Sequence, residues 1–238
     1  MSARPLHSGC LRYAALRLEV VIALKTVSHA KRRLSVALTD DAREALVVAM
    51  ALDVIASLSA SREILAIHVI CGDGWAHLNS LPPPVRIWRE PDGHDGGMVG
   101  ALEWVASQVD SEALLFIHGD LPFVDSNDVT LLASAAALEY AVVSPDRSHM
   151  GTNALLRWQS QSLPLAFGEN SYARHLAVME TAGLHWREVT TAGLEMDIDE
   201  PADLQLLADH SARLGKHTAA WWQRYGDCLF KDATQKVL

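Results

Sequence analysis

Short apolar runs alternate with longer amphipathic stretches along most of the chain. The runs predict buried strands, and these are residues 20–24, 64–70, 85–88, 113–117 and 140–143. Apolar residues recur at helical spacing between the runs, and the predicted helices are residues 39–58, 100–109 and 125–138. Strands that alternate with helices are typical of a mostly parallel sheet with helices on both faces. The pattern therefore predicts a single α/β domain.

Composition and charge narrow the class of protein. Half of the 238 residues are hydrophobic and 21% are charged, which is enough apolar material for a core. The net charge of −9 argues against a general binder of nucleic acid or of anionic membranes. Three scattered cysteines, Cys10, Cys71 and Cys228, predict a reducing compartment. We expect a cytoplasmic protein whose residues 1–17 form a flexible extension.

A basic segment follows the first predicted strand. Ligands of such sheets bind outside the carboxyl ends of the strands, so the loops after the strands are the place to look for a site. Four cations occur within nine residues there, namely Lys25, Lys31, Arg32 and Arg33. They predict a phosphate-binding loop, and a solvated basic turn is an equally good interpretation of this segment alone. The GxxxxGK[ST] pattern of a Walker A loop is absent.

Aspartates follow two other apolar runs. Asp120 comes after the strand at 113–117, and Asp197 and Asp199 are spaced so that both face the same side of an extended segment. Two carboxylates at such a short distance repel each other unless a cation lies between them. Mg²⁺ binds one or two carboxylates together with substrate phosphates, so the three aspartates predict a magnesium site. The alternative for Asp120 is an ordinary aspartate turn or helix cap.

The segment around Ser171 allows two interpretations. Ser171 precedes a helical pattern, so its hydroxyl and the free backbone N–H groups could hold an anion. Ordinary helix capping by Ser171 is the interpretation that this segment alone favours. The three histidines nearest these segments, His29, His118 and His175, are expected to be structural.

Five segments occur in a fixed order along the chain. They are Lys25 with Ala30-Lys31-x-Arg33-Leu34; Gly119-Asp120-Leu121-Pro122; Ser144-Pro145-Asp146-Arg147 with Gly151-Thr152-Asn153-Ala154-Leu155-Leu156; Phe167-Gly168 with Ser171-Tyr172 and His175; and Asp197-Ile198-Asp199 with Pro201 and Asp203-Leu204. Together they resemble the 2-phospho-L-lactate guanylyltransferase family of coenzyme F420 biosynthesis. The resemblance covers about residues 20–207.

The resemblance implies a fold and a reaction. The fold would be a single-domain, Rossmann-like nucleotidyltransferase fold over residues 18–238, with residues 208–238 as a C-terminal helical extension. The reaction would transfer GMP from GTP to a phosphorylated three-carbon acid, release pyrophosphate and require Mg²⁺. That acid would be 2-phospho-L-lactate, phosphoenolpyruvate or 3-phospho-D-glycerate. The implied partners are GTP and the acid, without nucleic acid or membrane, and a homodimer is left open.

The resemblance also implies roles for individual residues. The catalytic pair would be Lys25 and Asp120, and the metal ligands would be Asp120, Asp197 and Asp199. The GTP-binding residues would be Lys25, Lys31, Arg33, Gly96 and Gly97, and the acceptor-binding residues would be Thr152, Gly168 and Ser171. Two positions depart from the family pattern: Ala23 stands where proline is usual, and Met98-Val99 replaces the end of a GGLN loop. We expect residues 208–238 to form a covering helix or a subunit contact.

Two other functions compete with this interpretation. A nucleotidyltransferase for a sugar phosphate or for a molybdenum cofactor precursor would share the fold and the carboxylates. The segment from Gly151 to Leu156 and the FGxxS segment beginning at Phe167 speak against that alternative. A non-catalytic nucleotide-binding regulator could also keep the fold. It would not need Lys25 and all three aspartates.

Overall fold

The computed structural model describes residues 16–89 and 96–229, which form one seven-stranded sheet with helices on both faces. The order of the strands is β3-β2-β1-β4-β6-β5-β7. Their bounds are β1 Leu18–Leu24, β2 Ile64–Cys71, β3 Val85–Trp88, β4 Ala113–Ile117, β5 Ala141–Pro145, β6 Thr152–Trp158 and β7 Trp186–Glu188. Strand β6 runs antiparallel to β4 and β5, and the other neighbours are parallel. The predicted mostly parallel α/β sheet is confirmed.

Helices cover the two faces of the sheet with separate apolar clusters. The bounds of the helices are α1 Asp40–Ala60, α2 Gly97–Gln108, α3 Ser126–Ala135, α4 Ser171–Thr181, α5 Ala192–Glu195, α6 Leu204–Asp209 and α7 Lys216–Leu229. Helices α1 and α3 pack on one face, and α2 and α4 pack on the other. Thr39 caps α1, since its Oγ1 accepts a hydrogen bond from the Ala42 N–H.

Two strands of the sheet differ from the sequence prediction. All five predicted strands are present, whereas β6 and β7 were not predicted. Strand β6 begins at Thr152, inside a segment whose polar residues suggested a ligand-binding role, although five of its seven residues are buried.

One helix is shorter than predicted. The predicted helix at 125–138 ends at Ala135, because Leu138 and Glu139 adopt left-handed backbone angles that end an α-helix.

The central strands β1 and β4 lie side by side and bring two loops together. Lys25 follows β1, and Gly119 and Asp120 follow β4. A Cβ atom on Gly119 would lie 2.6 Å from Cδ2 of Leu24, which is closer than packed atoms approach. Glycine at this position therefore lets the two strand ends come close enough to share one site.

The C-terminal segment packs as a covering helix on α1. The Trp221 side chain is buried, and its indole N–H donates to the Ala42 carbonyl over 2.7 Å. The Asp53 carboxylate accepts from the backbone N–H groups of His217, at 2.9 Å, and Thr218, at 2.7 Å, in the first turn of α7. Residues 1–15 and 230–238 lie outside the described residues. None of the described helices has the length and apolar character to cross a membrane.

We predict that Asp53→Ala lowers the free energy of unfolding by about 1–3 kcal/mol, because two N–H groups at the start of α7 lose their acceptor. Urea unfolding of the variant measures the change. Asp209→Ala is the matched control, since Asp209 is exposed and accepts only from Gln205. Equal stability of the two variants would show that Asp53 does not hold α7.

Candidate active site

A cleft of about 770 Å³ opens at the carboxyl ends of β1 and β4. It brings together nine of the eleven residues that the sequence assigns to the site. These are Lys25, Lys31, Arg33, Asp120, Thr152, Gly168, Ser171, Asp197 and Asp199. Gly96 and Gly97 begin α2 and do not line the cleft, but the next residue, Met98, does. The loops that lie far apart in sequence therefore converge at one edge of the sheet.

Lys31 lies at the centre of the acidic side of the cleft. Its backbone is left-handed, with φ of 51°, and its side chain is only 11% exposed. The Lys31 ammonium donates to the carboxylates of both Asp120 and Asp199. Burial alone would lower the pKa of Lys31, but the two carboxylates outweigh burial and raise it. The same contact lowers the pKa of Asp120 against the opposing effect of its own burial.

A buried arginine that the sequence analysis did not single out fixes the loop of Lys31. One guanidinium nitrogen of Arg43 donates to the carbonyl of Ala30, the residue before Lys31. Another donates to Asp40 over 2.9 Å. Arg43 lies on α1 and is 3% exposed, so it ties the loop to the body of the domain. The sequence signal for this role is weak, since Arg43 lies among the other charged residues that begin α1.

Asp197 and Asp199 point into the cleft from one extended segment. Ile198 between them is fully buried, and its N–H donates to the Asp120 carbonyl over 3.3 Å. The predicted alternation is thus present, with Ile198 in the core and both aspartates lining the cleft. Asp197 also accepts from the Asn153 amide over 3.4 Å.

The turn after Asp199 is fixed by Asp203. One carboxylate oxygen of Asp203 accepts from the N–H groups of Asp199 and Glu200, at 3.0 and 2.8 Å. The other accepts from Arg147 over 2.7 Å. Pro201 occupies the first turn of the short helix, as predicted. Arg147 and Asp203 therefore position Asp199. Both residues belong to the sequence motifs, but the sequence analysis gave them no role.

The acidic side of the cleft fits a divalent cation. Three carboxylates and one ammonium leave two negative charges, and Oδ1 of Asp120 is buried without a hydrogen-bond partner among the described residues. Burial, with Asp120 and Asp199 nearby, raises the pKa of Asp197 to about 7. Within the described ranges, no three His, Cys, Asp or Glu side chains alone enclose a metal. Mg²⁺ needs only one or two carboxylates when substrate phosphates complete its shell, so these oxygens suit it.

The two other predicted phosphate-binding side chains differ in their surroundings. Lys25 is exposed, and its ammonium forms no ion pair within the described residues. The Trp75 indole N–H donates to the Lys25 carbonyl over 2.8 Å, which fixes the backbone and leaves the ammonium available. Arg33 pairs with Glu200 over 3.0 Å, and both side chains are more than half exposed. An exposed pair of this kind contributes little to stability.

The neutral side of the cleft contains Thr152 and Ser171. The Thr152 N–H donates to Oγ of Ser171 over 2.8 Å, and Oγ1 of Thr152 lies 3.0 Å from Nδ1 of His175. The expectation that Ser171 caps its own helix is wrong, because Asn170 occupies the cap position and Ser171 bonds to β6. The N–H groups of Ser171 and Tyr172 donate to carbonyls of the chain. The hydroxyl groups, rather than these two N–H groups, are therefore available to an anion.

This fold is shared with nucleotidyltransferases of known structure. A solved structure from Desulfovibrio desulfuricans G20, described as a nucleotide-diphospho-sugar transferase, superposes with a TM-score of 0.73. The match covers 91% of this chain and 98% of that one at 17% identity, so it shows a shared fold.

Residues 18–226 match the sequence family described as guanylyl transferase CofC-like, and the chain belongs to that family. A phosphoenolpyruvate guanylyltransferase from Sphaerobacter thermophilus is 31% identical over 193 residues, which cover 80% of this chain and 92% of that protein. One from Chloroflexus aggregans is 30% identical over 78% of this chain and 94% of its own length. The resemblance seen in the motifs is confirmed, and it extends beyond residue 207 into α7.

We predict that His175 makes folding stability fall at acidic pH. Burial, with Arg174 and His118 nearby, lowers the pKa of His175 to about 4. The unfolded chain binds this proton below pH of about 6.5 and the folded protein does not, so stability rises with pH across that window. His175→Gln removes this dependence, so the stability difference between parent and variant should shrink by about 2 kcal/mol from pH 7 to pH 5. Urea unfolding at both pH values checks this, and a constant difference would contradict it.

Proposed function

We propose that this protein transfers GMP from GTP to phosphoenolpyruvate and releases pyrophosphate. The observation that carries the proposal is a single cleft with an acidic, lysine-containing side and a neutral hydroxyl side. The names of the relatives favour phosphoenolpyruvate among the three candidate acids. The product, in which the phosphate of the acid is joined to GMP, would serve coenzyme F420 biosynthesis, as the family resemblance implies.

The chain's own residues would act by positioning and by neutralising charge. A phosphate oxygen of the acid attacks the α-phosphorus of GTP, a new P–O bond forms, and the bond to the β-phosphate breaks. The acid phosphate is already ionised, so the step needs no side chain as a base. Lys25 forms no ion pair within the described residues and is available to the triphosphate, whereas Lys31 is occupied by Asp120 and Asp199. Mg²⁺, held by oxygens from the set Asp120, Asp197 and Asp199 with substrate phosphates completing its shell, would supply further positive charge to the phosphates.

The neutral side of the cleft would receive the acid. Thr152, Gly168 and Ser171 line it, and Gly168 has φ of 114°, which lets the backbone turn there without a side chain. The carboxylate of the acid is an acceptor of hydrogen bonds only, so hydroxyl donors suit it. Thr152 and Asn153 are adjacent, and the Asn153 amide contacts Asp197, so the two sides of the cleft meet at the start of β6.

The nucleotide would lie toward α2. The family pattern is departed from at Ala23 and at Met98-Val99, and of these residues Ala23 and Met98 line the cleft. Both also pack against the apolar cluster of α2, together with Trp88 and Trp104. We infer that this side determines the choice of base and that Gly96 and Gly97 act through the start of α2. A change at Met98 should therefore alter nucleotide preference and leave acid preference unchanged.

Release of pyrophosphate tests the proposed function directly. The protein is incubated with GTP, Mg²⁺ and, separately, phosphoenolpyruvate, 2-phospho-L-lactate, 3-phospho-D-glycerate and a hexose 1-phosphate. Pyrophosphate with phosphoenolpyruvate as the best acceptor supports the proposal. Release with the sugar phosphate alone would replace it with the sugar nucleotidyltransferase alternative. No release with any acceptor would favour a nucleotide-binding regulator.

We predict that Lys25→Ala lowers kcat/KM for GTP about 10- to 150-fold, because a charge-assisted contact of about 1.5–3 kcal/mol is lost. Lys216→Ala is the matched control, since Lys216 is exposed at the start of α7 and lies away from the cleft. Steady-state kinetics with GTP varied provides the measurement. Equal values for the two variants would remove Lys25 from the site.

We predict that Asp120→Asn abolishes turnover while the protein stays folded. The variant keeps the shape of the side chain but loses the charge that pairs with Lys31 and that would bind Mg²⁺. Circular dichroism checks the fold, and the pyrophosphate assay checks turnover. Asp209→Asn, an exposed aspartate on α6, serves as the control. Near-parent turnover of Asp120→Asn at any Mg²⁺ concentration would contradict the assignment.

A further inference from the structure

The His175 ring connects the segments that contain Thr152, Gly168 and Ser171, the three positions expected to bind the acid. His175 does not itself line the cleft. Its ring is fully buried. Nε2 accepts from the Ala166 N–H over 2.9 Å, and Nδ1 lies 3.0 Å from Oγ1 of Thr152. Thr152 in turn donates its N–H to Ser171. One ring therefore contacts the segment before Gly168 and the start of β6, and it reaches Ser171 through Thr152.

The directions of these hydrogen bonds follow from the donors. A backbone N–H can only donate, so Nε2 of His175 must carry a lone pair rather than a proton. A neutral imidazole then carries its proton on Nδ1 and donates it to Oγ1 of Thr152. A second proton on the ring would face the Ala166 N–H, so this geometry also excludes the charged form. His175 is held as the neutral Nδ1–H tautomer.

The tautomer determines what Thr152 can offer to a ligand. Oγ1 of Thr152 accepts from His175, and Oγ of Ser171 accepts from the Thr152 N–H. Within the described residues neither hydroxyl donates to another group, so each retains a proton for an acceptor. Each oxygen also keeps a second lone pair, but its proton is turned away from the donor that it already accepts from. Two such protons favour a group that accepts twice, and an ionised carboxylate is such a group.

We propose that His175 is a positioning residue that turns the Thr152 hydroxyl proton toward the ligand, beside the Ser171 hydroxyl that the Thr152 N–H orients, and so favours an acceptor with an ionised carboxylate. This inference rests on the proposed function, because it takes the acid to lie at the neutral side of the cleft. Phe167 supports the arrangement, since its ring packs 5.0 Å from that of His175 next to Gly168. His175 acts through the hydroxyls and has no contact with the reacting atoms.

Two isosteric variants separate the positioning role from a merely structural one. His175→Asn places an amide N–H near the position of Nδ1 and keeps the donor to Thr152, whereas it loses the acceptor for Ala166. His175→Gln places a carbonyl oxygen near Nε2 and keeps that acceptor, whereas it loses the donor. Both variants remove the ring, so both should reduce stability. His185→Gln is the control, because His185 is exposed and stacks only on Tyr140.

The kinetic measurement compares the change in KM for phosphoenolpyruvate with the change in KM for GTP. We expect His175→Gln to raise KM for phosphoenolpyruvate about tenfold or more with KM for GTP changed less than about twofold, since one charge-assisted contact is weakened. His175→Asn should keep KM for the acid within about threefold of the parent. Equal rises of KM for the acid in the two variants, or equal rises for acid and GTP, would overturn the proposal and leave His175 a core residue.

A spectroscopic measurement tests the tautomer of His175 without requiring turnover. Nitrogen NMR of protein labelled with ¹⁵N in histidine reports the tautomer of each ring, and His175→Gln assigns the signal. The Nδ1–H tautomer at neutral pH, with a shift of this signal when phosphoenolpyruvate is added, supports the proposal. The Nε2–H tautomer would overturn it even if guanylyl transfer is confirmed. Absence of turnover in a protein that shows the Nδ1–H tautomer and the acid-dependent shift would count against the proposed reaction only.

Discussion

The charge of one buried lysine holds the site together. Asp120 and Asp199 come from loops after β4 and β7, and their carboxylates repel each other at the short distance that the cleft imposes. The Lys31 ammonium contacts both, and its side chain is nearly buried, so the attraction is only weakly screened by water. Without that ammonium the loops would separate or the carboxylates would take up protons. Asp197 shows this effect, since its burial and the nearby carboxylates of Asp120 and Asp199 raise its pKa, although Lys31 opposes the rise.

Two residues that lie away from the acidic carboxylates, Arg43 and Asp203, hold these loops in place. Arg43 fixes the carbonyl before Lys31, and Asp203 fixes the N–H groups of Asp199 and Glu200. Each contact ends on backbone atoms, so it fixes the path of the chain and leaves the functional side chain free. Arg43 and Asp203 are both buried, which protects their hydrogen bonds from competition by water. Preorganisation of this kind lowers the cost of assembling charges around a triphosphate.

Sequence patterns predicted the parallel core and nine residues that the structure brings to one cleft, but not the parts that depend on partners far along the chain. Strands such as residues 113–117 carry their own signal, because burial on both faces requires a continuous apolar run. Strand β6 was missed because Thr152 and Asn153 are polar, and only the fold shows that both are buried. The capping interpretation of Ser171 failed for the same reason. Its partner, the Thr152 N–H, belongs to β6 and is invisible from the helical pattern.

The hydroxyl-bearing side of the cleft stays neutral beside the charged side. Thr152 and Asp197 both line the cleft, so a cationic side chain at position 152 would share it with that carboxylate. A lysine there would be attracted to Asp197, as Lys31 is attracted to Asp120, and would be lost to the ligand. Hydroxyl donors give a carboxylate hydrogen bonds without bringing a charge that the aspartates can capture. Such donors favour a carboxylate when their protons are turned toward the ligand, and the His175 ring and the backbone of β6 each orient one hydroxyl by occupying one of its lone pairs.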